Sequence, residues 1–166
     1  MTSLCLALAC SSPQSVSPRP DWAAQASKDA PCERWLGRSK QQKTESMWRL
    51  RAARRAYFCL QKTTQTPGPA LNIAIALDPQ SPHTLSLAER YLSDATASQR
   101  PARMQVSKAW FGKHFLLDSA LWLGAAKNAS APQSLGLWQR VVAADPEGSR
   151  GRRAMLALAA SAPTDA

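Results

Sequence analysis

Acidic side chains, histidine and glycine are all scarce in this sequence, and each scarcity removes a class of chemistry. There are two histidines, His83 and His114, too few for a histidine-rich metal centre. His114 has Asp118 four residues on, a spacing that brings two side chains together on a helix, but no third ligand accompanies them, and the pair reads as a surface contact. Glu33, Glu45, Glu89 and Glu147 are scattered and form no acid–base pair. The seven glycines build neither a phosphate-cradling loop nor a Gly-x-Ser-x-Gly elbow, and the four cysteines lack zinc-finger spacing. No run of residues approaches the ~18 apolar positions of a membrane-crossing helix. No catalytic or metal-binding residue is nominated on these grounds. The expectation is a protein that is not an enzyme, with no cofactor and no small-molecule substrate.

Cations, tryptophan and proline are plentiful by contrast. Lysine and arginine number 21 against 11 acids, a net charge of +10 that favours acidic proteins, phosphate polymers or anionic lipid headgroups as partners. The arginines do not gather into a polybasic tail. Hydrophobic residues make up 45% of the 166, enough to offset chain entropy in one compact domain. Alanine-rich apolar stretches, few β-branched residues and 12 prolines between periodic segments point to short, punctuated helices. The expected fold class is all-α, with antiparallel helical hairpins stacked as a small bundle or short solenoid.

At the N-terminus, the apolar run Leu6-Ala7-Leu8-Ala9 leads to Cys10, and residues 11–20 are rich in serine and proline. This order resembles the end of a bacterial lipoprotein signal, in which the chain is cut before a cysteine that is acylated. It departs from that pattern in three ways: the apolar run is short, no Lys or Arg precedes it, and Leu8 stands where a small residue is usual. The resemblance implies lipidation of Cys10, a lipid anchor to the membrane, and, because Ser11 rather than Asp follows, an outer-membrane protein facing the periplasm. Residues 1–9 then read as a signal remnant, 10–28 as a flexible tether, 29–162 as a single helical domain and 163–166 as a frayed tail. Cleavage removes Cys5 and leaves Cys32 and Cys59 as an even pair in an oxidising compartment. The alternative is a cytoplasmic protein with an unmodified N-terminal tail and two reduced, buried cysteines.

Asp29 and Pro31 open a first helix carrying Cys32, Trp35 and Leu36 on one face and fading over residues 40–43. Residues 45–62 form the best-patterned helix, with Leu50, Ala53, Tyr57 and Leu60 at core spacing. If the two pair antiparallel, Cys32 comes close to Cys59 and a disulfide is reasonable. Pro67-Gly68-Pro69 interrupts the chain, and helices over 70–77 and 82–92 follow, the latter capped by Ser81-Pro82. Pro101 opens the longest helix, 101–124, with a bend at Gly112. Two more run over 132–145 and from Ser149, the last with Met155, Leu156 and Ala159.

Two of these segments share a grammar, ALNIAIALDP ending at Pro79 and LGLWQRVVAADP ending at Pro146, with Asp78 and Asp145 standing 67 residues apart. The spacing is close to twice the ~34-residue period of tetratricopeptide repeats, whose second helix and terminator these segments resemble. That resemblance implies a scaffold that holds a peptide or helix in a groove.

The residues selected for partner binding lie on the second helix. Arg51, Arg54, Arg55 and Lys62 share one side of it, and Trp48 beside them is the tryptophan, of six, expected to be exposed. They would meet an acidic protein or peptide surface in the cell envelope, making the protein an interaction or assembly adaptor. The competing function is a cytoplasmic nucleic-acid-binding helical protein, whose affinity would fall steeply with salt.

Overall fold

A computed structural model of the protein describes residues 31–63 and 65–161. Cys10, the signal remnant, the whole of the tether, the Asp29 cap and the C-terminal tail lie outside the described residues. The described chain is all-helical, with eight helices and no strand: α1 (Cys32–Ser39), α2 (Ser46–Gln61), α3 (Gly68–Leu77), α4 (Pro82–Ser93), α5 (Arg100–Ser107), α6 (Phe115–Ala126), α7 (Ala131–Ala144) and α8 (Ser149–Ala160).

Local chemistry accounts for most of the boundaries. Ser81 caps α4 by accepting the Thr84 amide at 3.1 Å, with Pro82 in the first turn where its missing N–H costs nothing. Asp78 and Asp145 each leave the helical conformation and stop α3 and α7, as expected for residues that precede proline. Asp78 also accepts the Gln80 and Ser81 amides on Oδ1, which folds the chain back into α4. The two Asp-Pro turns serve unlike pairs, however, because α7 and α8 pack along each other whereas α3 and α4 share a smaller contact. The Pro67-Gly68-Pro69 break is corrected in detail: Gly68 and Pro69 already belong to the first turn of α3.

The single long helix expected over 101–124 is not formed. The chain leaves α5 after Ser107 and re-enters a helix only at Phe115. Three local devices hold the break. Gly112 takes φ +77°, a left-handed conformation that favours glycine. Its amide donates to the Asp118 carboxylate at 3.0 Å, and His114 Nδ1 accepts the Leu116 amide, capping α6. Trp110, 3% exposed, anchors the connection by donating from its indole N–H to Asn72 Oδ1 at 3.1 Å and meeting Tyr91 edge-on.

α1 and α2 pair as a hairpin, α2 packs on α3, and α4 shares its largest interface with α6, against which α7 and then α8 stack. The main core gathers Trp35, Leu50, Tyr57, Leu71, Tyr91 and Trp110, together with alanines from α2, α3, α4 and α6 that let the helices approach closely. A smaller cluster of Leu123, Val141 and Ala154, with Trp122 and Trp138 against it, joins the last three helices. The α4–α6 contact depends on Gly124, where a Cβ would stand 2.2 Å from the Glu89 carbonyl oxygen. Gly124→Ala is therefore expected to destabilise by about 1–3 kcal/mol despite alanine's better helix propensity, because two backbones must separate. Urea denaturation showing unchanged or higher stability would refute this.

The cysteine pairing is a disulfide. Cys32 at the start of α1 and Cys59 near the end of α2 are bonded, with Cα atoms 5.4 Å apart.

Candidate functional site

The residues selected from the sequence fall within roughly a third of the circumference of α2, given 3.6 residues per turn. Arg51, Arg54, Arg55 and Lys62 are all exposed; Trp48 is half-buried rather than open to solvent. The surface is built by more than one helix. The Arg51 guanidinium lies over the Trp48 ring, 4.6 Å from its centroid. Arg55 lies over Trp35 at 4.6 Å, and so does Arg38, reaching the ring from α1 at 4.7 Å. Phe58 carries Arg54 at 5.8 Å and Arg90, contributed by α4, at 5.6 Å. Three aromatic rings thus organise five guanidinium groups. A cation held over a ring is attracted by the ring's quadrupole, and a planar guanidinium in that position still offers N–H donors for carboxylate oxygens.

The electrostatics are one-sided. Among the described residues the ion pairs are those of Glu89 with Lys127 and Arg150, and none involves Arg51, Arg54, Arg55, Lys62 or Arg90. Burial, with the neighbouring charges of Arg34 and Arg55, holds Arg38 below the ordinary arginine value. Exposed Asp94 is turned to Gln61, whose amide nitrogen donates to it at 2.7 Å. Around Arg51, Arg54, Arg55, Lys62 and Arg90 the surface therefore carries a concentration of positive charge that no ion pair among the described residues offsets.

Trp35, Phe58, Arg38 and Arg90 were not selected from the sequence. Trp35 reads there as a core residue, and it is one, yet its ring also supports two cations. Arg90 sits on a helix that sequence spacing cannot place beside α2.

Elsewhere the polar groups serve the fold. His114 and Asp118 are both committed to the α5–α6 break, and burial raises the Asp118 carboxyl above its usual range against the lowering effects of the Gly112 amide and His114. Burial also raises Tyr57, whose fully enclosed hydroxyl has no hydrogen-bond partner among the described residues. No group of three or more His, Cys, Asp or Glu among the described residues is arranged to hold a metal ion. No described helix is long and apolar enough to cross a membrane.

Compared with protein-family models, with curated proteins and with solved structures, the chain matches none. The functional reading rests on its own residues.

Proposed function

We propose that the protein is an adaptor that docks the acidic surface of another protein onto the arginine–aromatic face of the α1–α2 hairpin. The observation that carries this reading is the set of guanidinium groups of Arg51, Arg54, Arg55 and Arg90, held over aromatic rings with no ion pair to a carboxylate among the described residues. Ring contacts limit the freedom of these long side chains before binding, which lowers the ordering cost on association. Lys62 extends the same charged face. The location proposed is the bacterial envelope, with Cys10 carrying the lipid and the domain facing the periplasm. The Cys32–Cys59 bond supports export, because structural disulfides persist in oxidising compartments.

A protein partner is favoured over a single-stranded nucleic acid by the state of the rings. Bases stack on accessible aromatic faces, but Trp35 is 3% exposed and the other two rings are partly covered. The test is charge reversal, R51E/R54E/R55E/K62E, in the full chain. With the circular dichroism unchanged, crosslinking in the envelope fraction is expected to lose the partner captured by the wild type. Affinity for that partner, once purified, should fall by at least about 2 kcal/mol at low salt. Retention of every partner would remove this face from the proposal, and salt-sensitive binding to DNA or RNA in its place would favour the nucleic-acid reading. Intact mass of the membrane-fraction protein checks cleavage before Cys10 and its acylation independently.

A further inference from the structure

Beyond the α1–α2 hairpin, α5 rests on α4 and α7 on α6, while α5 and α7 scarcely touch. Between them runs an open groove with two hollows, of about 240 and 420 Å³, that share Met104, Gln133 and Leu137. Leu92 and Ala125 contribute to the apolar surface at one end, and the stacked rings of Phe111 and Trp122, 4.1 Å apart, line the other. Cations stand at both ends: Arg100 beside the first hollow, Lys108 and Arg140 beside the second, with Arg140 over the Trp122 ring at 4.6 Å. Neither hollow is lined by Asp or Glu.

The second observation is Gly136, in the middle of α7 and on the wall of this groove. A Cβ added there would meet nothing within 4 Å. A glycine inside an exposed helix weakens it relative to alanine, and no internal contact of the fold calls for one here. Gly124 shows what such a residue achieves in this molecule, since it admits the backbone of α4 against α6.

We propose that the groove is a docking site for an amphipathic helix of a partner protein, apolar on one face, with carboxylates towards both ends, its backbone crossing at Gly136. The stretch of α5 from Arg100 to Lys108 corresponds to about 12 Å, so two to three turns of the partner lie in contact. Positive charge at both ends suits a ligand carrying two separated anionic groups better than an acyl chain with one headgroup. The site is distinct from the α1–α2 face and does not depend on that reading.

The test uses the full chain carrying R51E/R54E/R55E/K62E, so that the other cationic face cannot compete, as bait for a displayed library of helical dodecapeptides. Recovered peptides are then synthesised with a fluorophore and titrated. The expected peptides have apolar residues at i, i+3 or i+4 and i+7, and acids near both ends. Gly136→Leu and, separately, K108E/R140E should each weaken their binding at least about ten-fold. Gly136→Ala should weaken binding while raising the melting temperature of the free chain, a pair of opposite signs that a purely structural glycine would not give. The proposal is overturned if no peptide is recovered, if the peptides lack that pattern, or if binding survives Gly136→Leu. It is equally overturned if Gly136→Ala lowers the melting temperature. Saturable binding of dodecanoate, but of no peptide, would make the groove an acyl site instead. A dimer in sedimentation that Gly136→Leu abolishes would mean that a second copy occupies it.

Discussion

Trp110→Ala is expected to cost about 3–5 kcal/mol of folding stability, the usual range for emptying a buried aromatic site. Trp110 lies in the connection between α5 and α6, yet it is 3% exposed and belongs to the main core. Its removal loses the ring's transfer free energy, the edge-on contact with Tyr91 and the hydrogen bond to Asn72. Asn72 is exposed, so water can satisfy its carbonyl oxygen, and most of the loss should come from packing. Trp110→Phe separates the two contributions: it keeps much of the ring and should cost less than half as much. Equilibrium unfolding in urea, followed by far-ultraviolet circular dichroism, measures both. A Trp110→Ala loss below about 1 kcal/mol would show that the connection is not anchored through this ring. The neighbouring Phe111, stacked on Trp122, sits at one end of the α5–α7 groove, so loosening this anchor should also disturb the groove.

Replacing both cysteines of the α1–α2 hairpin by serine should lower stability by about 3–4 kcal/mol on the chain-entropy estimate. The bonded residues are 27 apart, and opening that loop enlarges the unfolded ensemble. A fall of roughly 10 °C in the melting temperature is expected for a domain of this size. The loss should concentrate in α1, whose contacts are mainly with α2 and slightly with α3. Hydrogen exchange should therefore accelerate in α1 well before it does in α6. Because Trp35 carries Arg38 and Arg55, the arginine–aromatic face should lose order together with α1. Wild-type protein in reducing agent should reproduce the serine variant. Equal melting temperatures for oxidised and reduced wild type would refute the estimate.

Much of the helical plan was legible because it is set by short-range chemistry. Ser81-Pro82, Asp78-Pro79 and Asp145-Pro146 act on the next few backbone groups, and their boundaries fall where the residues indicate. The core face of α2 was equally clear: Leu50, Ala53, Tyr57 and Leu60 are all buried, as their helical spacing requires. The one large error, a continuous helix over 101–124, arose where apolar spacing was read through Gly112. Periodicity describes which side of a helix would be apolar, not whether the helix continues. Trp110, within the 101–124 stretch, is buried, but from a turn rather than from a helix. In α8, apolar residues alone misdirect: Met155 and Leu156 are exposed, while Gly151 and Ala154 make the contact face.

An all-α chain and a cationic side to the second helix follow from residue type and spacing, because capping, proline geometry and the 3.6-residue period act within a few residues; the sequence makes the pairing of Cys32 with Cys59 reasonable, and the packing of the first two helices decides it. Which rings lie beneath the arginines, why α5 and α6 separate, and the groove between α5 and α7 were decided only when distant segments met. Arg90 reaches Phe58, Trp110 reaches Asn72, and Gly124 admits Glu89 across stretches of chain that local rules do not span. Such contacts depend on how whole helix surfaces fit, and that fit is a property of the assembled fold.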